Sequence, residues 1–222
     1  MLNIKIGDYV SRNSYNNDTI FKVINIKEGI YYLKGAEVRL VADSPIEDLK
    51  IEDKNNLKDE FENIIINEIL LDRGKYFYLP AKVLHIDSDE EYLDRCLKFY
   101  KKNGILAYGK KIKEKNIAEQ INILLKNIKP DIVIITGHDA FYPKKGKTTN
   151  IKNYKNSQCF VDAIREARKY EQSHEKLVII AGACQSDYEE LIKAGANFAS
   201  SPKRVNIHSL DPAIIATSVA FK

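Results

Sequence analysis

Pro130-Asp131-Ile132-Val133-Ile134-Ile135-Thr136-Gly137-His138-Asp139 is the stretch on which the fold turns. Four β-branched apolar residues stand together with no polar face. A central strand of a parallel sheet reads this way, because helices cover both of its sides. Pro130 stops the element before it, and Gly137 lets the chain leave the strand sharply. The same alternation recurs on either side. Upstream, residues 83–86 are a strand, and Ser88-Asp89-Glu90-Glu91 is a capping box. Tyr92, Leu93, Cys96, Leu97 and Tyr100 form the apolar stripe of the helix that follows. Residues 105–108 are a second strand, and Ile117, Ile121, Leu124 and Leu125 mark a second helix. Downstream, a basic loop from Tyr142 to Asn156 leads to a helix with Phe160, Ala163, Ile164 and Ala167 inward. Residues 177–180 are a fourth strand. Ser186-Asp187-Tyr188-Glu189 opens a helix that ends at Gly195, and residues 197–199 are a short fifth strand. Repeated βα units predict a doubly wound parallel sheet over 76–222, with helices on both faces.

Before residue 50 the rhythm changes. Tyr9-Val10 and residues 21–26, 30–33 and 37–41 are β-branched or aromatic. Gly7-Asp8, Asn16-Asn17-Asp18, Glu28-Gly29 and Lys34-Gly35 separate them. These short strands predict a small SH3-like β-barrel over 1–50, closed by Ser44-Pro45. Residues 51–75 are charged, yet Leu57, Phe61, Ile64, Ile65 and Ile69 share one stripe. They predict a connecting helix that stops near Gly74.

Bulk properties exclude several classes of function. The 222 residues suit one medium domain plus a small module, and 44% apolar content argues against disorder. Lys and Arg total 35 against 31 acids, an excess of +4 that is too dispersed for a nucleic-acid footprint. No apolar run approaches the roughly 20 residues of a membrane span. Residues 1–8 lack the apolar segment of a secretion signal. The three cysteines, Cys96, Cys159 and Cys184, are an odd count without CxxC spacing. That argues against a disulfide framework and a structural zinc site, and fits a reducing compartment. No cofactor and no metal are expected.

In open α/β sheets, ligands bind beyond the carboxyl ends of the strands. The fourth strand runs into Ala181-Gly182-Ala183-Cys184-Gln185, and the third into Thr136-Gly137-His138-Asp139. Small residues permit a tight turn and close approach of backbone to a ligand. Cys184 precedes a helix, whose amino end favours a thiolate, as does an adjacent imidazole. If the two strands are neighbours, roughly 4.8 Å separates them, so His138 meets Cys184. A thiolate beside an imidazole is the minimal arrangement for covalent acyl transfer. His138 would keep the thiol deprotonated and then protonate the leaving amine. Backbone N–H groups of Cys184 and Asp139 are the expected oxyanion hole. His85 and Asp87, near the end of the first strand, are placed to line the pocket or orient His138.

Each residue also has a structural reading. Cys96 lies on an apolar helical stripe and reads as core. Cys159 and Arg165 have phosphatase-like spacing, but the intervening stretch is helical and lacks phosphate-cradling glycines. Asp87 and Asp89 would suit the Mg²⁺ site of a receiver domain, but that pattern needs an aspartate where His138 stands. His174 lies in a polar stretch, His208 ends a loop over 200–208 that is placed to flank the site, and the run Lys144-Lys145-Gly146-Lys147 reads as an exposed loop or as a cleavage point. Strand-end Cys and His residues also serve glutaminases and amidases. A non-enzymatic reading, with the barrel binding a partner and the larger domain acting as scaffold, stays open too.

Four blocks carry a family resemblance: residues 35–43 (GAEVRLVAD), 130–140 (PDIVIITGHDA), 181–186 (AGACQS) and 194–202 (AGANFASSP). Together they resemble peptidase family U57, the sporulation-specific proteases of endospore-forming bacteria. The likeness runs through essentially the whole chain. It implies an endopeptidase that processes spore coat and germination-related proteins, in the cytoplasm of the mother cell or at the spore coat, and it leaves self-processing open. Members of the family continue past the position matching Phe221, so a shortened or processed form is expected. The layout is also similar to the caspase–gingipain–clostripain group, in which a His ends one strand and a Cys the next. Those enzymes carry Gly directly after the His, whereas here Gly137 precedes His138. The resemblance implies cleavage after Arg, and Asp187 and Asp139 are the positional candidates for the acid of such a pocket.

Overall fold

The computed structural model describes residues 3–57 and 79–221. It divides into two compact units near residue 61. Most of the connecting helix expected over 51–75 lies outside the described residues.

The first unit is an antiparallel sheet of β1 (Tyr9–Arg12), β2 (Phe21–Lys27), β3 (Ile30–Gly35), β4 (Val41–Pro45) and β5 (Leu49–Ile51), in the order β4-β3-β2-β1-β5. Glu28 and Gly29 both take positive φ (53° and 80°), and Lys27 pairs with Ile30. This two-residue turn matches the twist of the strands it joins. Val10, Phe21, Val23, Leu33 and Leu49 alternate inward to form the core. Two expectations need correcting. The fourth strand begins at Val41 rather than Glu37, because Gly35 N–H donates to Leu40 C=O at 2.7 Å and residues 36–40 are consumed in that turn. Nor does Pro45 end the sheet. After a single 3₁₀ turn (Ile46–Asp48), β5 pairs with β1.

The second unit alternates strictly. Its elements are β6 (Val83–Asp87), α1 (Glu90–Lys102), β7 (Ala107–Lys111), α2 (Glu114–Ile128), β8 (Ile132–Ile135), α3 (Ser157–Tyr170), β9 (Val178–Ala181), α4 (Tyr188–Lys193), β10 (Phe198–Ala199) and α5 (Asp211–Ala220). All strands are parallel, in the order β10-β9-β8-β6-β7. Leu84, Ile86, Val133, Ile135 and Ile179 meet the inner stripes of α2, α3 and α4. Val83, Ile132, Ile134 and Ile180 meet α1 and α5. Every residue of β8 is at most 1% exposed, as its unbroken apolar run requires. Both expected helix starts shift by one residue, since Asp89 and Asp187 are the caps rather than Ser88 and Ser186. The second strand starts at Ala107 because Ile105 turns into the core.

Helix α5 has no counterpart in the sequence reading. Pro212 sits in its first turn, where a missing N–H costs nothing. Its buried face is built from small residues, Ala213, Ala216 and Ala220, so hydrophobic periodicity is weak. Among the described residues no helix is long and apolar enough to cross a membrane. The protein is therefore mixed α/β, with one antiparallel and one parallel sheet.

Candidate active site

The strand order puts the topological switch between β6 and β8, because the chain leaves β6 in one direction and returns to its other side. A crevice opens at such a point. Three chain segments converge there. Asp89 follows β6, Glu114 opens α2, and Gly137-His138 follow β8. One Asp89 carboxylate has two tasks. Its Oδ1 caps α1 by accepting from Glu91 N–H (3.0 Å) and Tyr92 N–H (3.2 Å), while Oδ2 lies 3.2 Å from His138 Nε2. Glu114 Oε1 accepts from His138 N–H (2.8 Å) and from Ser88 Oγ (2.6 Å). Asn156 Nδ2 donates to His138 C=O at 2.7 Å. The Tyr92 ring packs at 5.9 Å from the imidazole. Backbone and ring of His138 are thus held from three elements, and its side chain stays 23% exposed.

Gly137 has a clear reason to be glycine. A Cβ there would stand 2.6 Å from both Glu114 Oε1 and Ser88 Oγ. Gly137→Ala is therefore expected to push Glu114 off the His138 amide. A drop in kcat of about 10-fold with KM little changed, read on a peptide substrate, is the expected result. Unaltered kcat would show that this clamp does not matter.

Cys184 lies beyond β9, the neighbour of β8. Between the two strand ends, Thr136 Oγ1 donates to Gly182 C=O (2.8 Å) and Phe141 N–H donates to Gln185 Oε1 (3.2 Å). The turn is tight, with Gly182 at φ 105° and Gln185, directly after the cysteine, at φ 57°. A non-glycine residue in the left-handed region costs on the order of 1 kcal/mol, so the surroundings enforce this conformation. Cys184 is fully buried, and Ile207 N–H points at its sulfur at 3.3 Å. The expectation that α4 favours a thiolate is weakened. That helix has six residues, and Cys184 precedes its cap by three.

The structure brings His138 and Cys184 to adjacent strand ends, but among the described residues no hydrogen bond joins them. The histidine ring bonds Asp89 instead. His85 and Asp87 form a buried group that reaches His138 only by way of Asp89 in the contacts resolved. His85 Nδ1 is 2.9 Å from Tyr100 Oη, its Nε2 is 3.7 Å from Asp87 Oδ2, and Asp87 Oδ1 accepts from Asp89 N–H. The His138 ring meets Asp89, which sequence reasoning placed in a capping box and weighed as a metal ligand, but not as a partner of His138. Its position one turn past the first strand, at the switch point, was the available signal.

Asp139 is 7% exposed, and four donors surround its carboxylate. Asn156 N–H (2.7 Å) and Ala140 N–H (2.9 Å) reach Oδ1. Ser157 Oγ (2.5 Å) and Ser186 Oγ (2.9 Å) reach Oδ2. Burial pushes its pKa up, and these hydrogen bonds oppose that rise without cancelling it. Ser186 Oγ also accepts from Ala183 N–H, and Ser157 Oγ accepts from Asp187 N–H. Asp139 therefore ties the β8 loop to the cysteine loop. Its carboxylate is fully engaged by its own chain. Asp187 is less engaged. It is 1% exposed, its Oδ2 has no hydrogen-bond partner, and burial raises its pKa. Among the described residues no cluster of three or more His, Cys, Asp or Glu side chains is arranged to hold a metal ion.

Comparison with known proteins returns one family and distant folds. The family model described as YabG peptidase U57 matches residues 5–72 and 65–222. The sporulation-specific protease YabG of Bacillus subtilis (strain 168) is 41% identical over 249 aligned residues, spanning 99% of this chain and 86% of that protein. Among solved structures, a two-component response regulator/GGDEF domain protein aligns with 62% of this chain and 48% of its own, at 17% identity and TM-score 0.41. A cobalamin-binding protein from Desulfitobacterium hafniense DCB-2 aligns with 61% of this chain and 56% of its own, at 16% identity and TM-score 0.38. These structural likenesses carry no functional argument.

Proposed function

The chain belongs to the YabG peptidase U57 family, and from that membership we propose that it is a cysteine endopeptidase of sporulation in which Cys184 is the nucleophile and His138 carries the proton. The observation that supports this most is the pair of strand ends. A Cys and a His stand beyond adjacent parallel strands, on loops joined by the Thr136–Gly182 and Phe141–Gln185 bonds.

The chemistry follows from the groups present. The thiol proton passes to the imidazole, and the sulfur adds to the substrate carbonyl carbon. Backbone N–H groups at Cys184 and Asp139 receive the developing oxyanion. The C–N bond breaks as His138 returns the proton to the departing amine, leaving a thioester that water hydrolyses. With Nε2 on Asp89, Nδ1 is the nitrogen available for transfer, and Asp89 takes the orienting role. Asp89→Asn keeps a good helix cap but removes the charge. It is expected to lower kcat by about 100-fold while α1 keeps its thermal stability. Equal kcat in the two proteins would remove Asp89 from the mechanism.

The substrates in this reading are spore coat and germination-related proteins, cut after Arg, with the chain itself among the possible targets. The sheet order β4-β3-β2-β1-β5, with a 3₁₀ turn before the last strand, favours an SH3-like module over 1–50. Residues 51–75 link it to a catalytic domain over 76–222, whose His-then-Cys strand ends favour a caspase-like arrangement. A peptidyl acyloxymethyl ketone ending in Arg tests the assignment. It should leave one adduct, on Cys184. An adduct on Cys96 or Cys159 alone, or none at all under conditions of active turnover, would contradict it.

A further inference from the structure

The segment between β10 and α5 lies directly over Cys184. Ile207 N–H meets the sulfur at 3.3 Å. Two residues earlier, Val205 C=O accepts from Gln185 N–H at 3.2 Å. Gln185 follows the nucleophile, so its N–H is one residue from the Cys184 N–H given above to the oxyanion. Here that donor is held by the protein's own backbone. Ser201 Oγ also bonds Val205 C=O (2.6 Å) and accepts from Gln185 N–H (3.2 Å), which ties down the start of the segment.

Arg204, next to Val205, is seated in an acidic socket. Its Nε donates to Tyr154 Oη at 2.6 Å, one terminal nitrogen reaches Glu189 Oε2 at 2.5 Å, and the same nitrogen is 3.8 Å from Asp187 Oδ1. The other Asp187 oxygen is buried with no hydrogen-bond partner. That oxygen gives the socket acceptor capacity that Arg204 leaves unfilled. Both Ser201 and Arg204 hold positive φ, 61° and 54°. A segment of ordinary residues in left-handed backbone stays so only while other contacts compensate.

We propose that Asp187, Glu189 and Tyr154 form a subsite for an arginine side chain of the substrate polypeptide, and that Arg204 fills it as an internal stand-in while residues 201–207 form a strap closed over Cys184. The inference rests on the nucleophile assignment above and names its specificity pocket and its control. The strap presents an arginine to the socket and the carbonyl of the next residue to the Gln185 amide, but in a turn closed by Arg204 N–H on Ser201 C=O (2.8 Å), not in the extended form of a substrate, and displaced by one residue. It therefore occupies the site without being cut. A substrate must displace it, and the socket then binds the incoming arginine.

The test is alkylation of the intact chain by iodoacetamide, followed residue by residue by mass spectrometry, together with hydrolysis of a peptide pair carrying arginine or its uncharged isostere citrulline before the scissile bond. Arg204→Ala should raise the Cys184 alkylation rate about 10-fold or more, with buried Cys96 unchanged as the control for folding. Glu189→Gln removes the charge from the contact at a half-exposed helix position and keeps the question open to test if Arg204→Ala does not fold. It should raise Cys184 alkylation too, and also raise KM for the arginine peptide about 10-fold with little effect on the citrulline peptide. An unchanged alkylation rate in both variants overturns the strap. Equal hydrolysis of the two peptides by the parent overturns the socket. Alkylation requires no turnover, so its outcome is independent of whether Cys184 is the nucleophile. That question is settled separately by the ketone adduct.

Discussion

Cys184→Ala is expected to lower peptide hydrolysis by about 10⁴-fold or more, and His138→Ala by a similar factor. In the proposed mechanism the two groups act as one unit. Without sulfur there is no covalent intermediate, and without imidazole neither the thiol nor the leaving amine exchanges its proton. The double variant should therefore be no slower than either single one. Neither change should unfold the chain. Alanine in place of Cys184 removes a buried sulfur that Ile207 N–H approaches at 3.3 Å, a loss of about 1–2 kcal/mol. His138 keeps 23% of its side chain in solvent, and its amide and carbonyl stay bonded to Glu114 and Asn156 whatever the side chain. Full processing in cells that carry only Cys184→Ala would end the cysteine mechanism, and no cleavage by the purified parent would favour a scaffold. Faster cutting of small amides than of proteins by the parent would favour an amidase.

The largest stability effect is expected at Asp139. Removing its carboxylate in Asp139→Ala leaves two buried serine hydroxyls and two backbone N–H groups without their acceptor. The cost should be about 3 kcal/mol, read as a lower urea midpoint or a Tm lower by roughly 10 °C for a unit of this size. Activity should fall further than folding alone explains, since the same carboxylate fixes Ser186 and through it the Ala183 amide beside Cys184. The sign of the pH dependence follows from burial. The folded carboxyl holds its proton to higher pH than the unfolded one, because burial outweighs its hydrogen bonds. Stability contributed by this group is thus fully present below the unfolded value and declines as pH rises through the folded one. Asp139→Asn should flatten that part of the urea-midpoint profile. A profile of unchanged slope would mean that Asp139 titrates as it does in water.

Much of the α/β unit was legible because its signals are local. The run 132–135 is a strand buried on both faces whatever surrounds it, and the stripes of α1, α2 and α3 follow from helical spacing. Helix α5 was not legible, since its buried alanines give no contrast with its exposed face. The early placing of β4 had another cause. Val38 and Leu40 have good strand propensity, but the bond from Gly35 to Leu40 uses that backbone in a turn.

The site divides along the same line. The identities and positions of His138 and Cys184 at strand ends were set by residue type next to strand and turn signals, so the sequence by itself determined which groups are available. Strand order was not encoded locally. Only the folded sheet placed the switch between β6 and β8, brought Asp89 and Glu114 to His138, and left His85 and Asp87 with Tyr100. Likewise, only tertiary packing laid residues 201–207 over Cys184 and seated Arg204 against Asp187 and Glu189. These contacts join residues 15 to 49 positions apart. Their partners are chosen by how sheets, helices and loops stack, and no spacing along the chain records that choice.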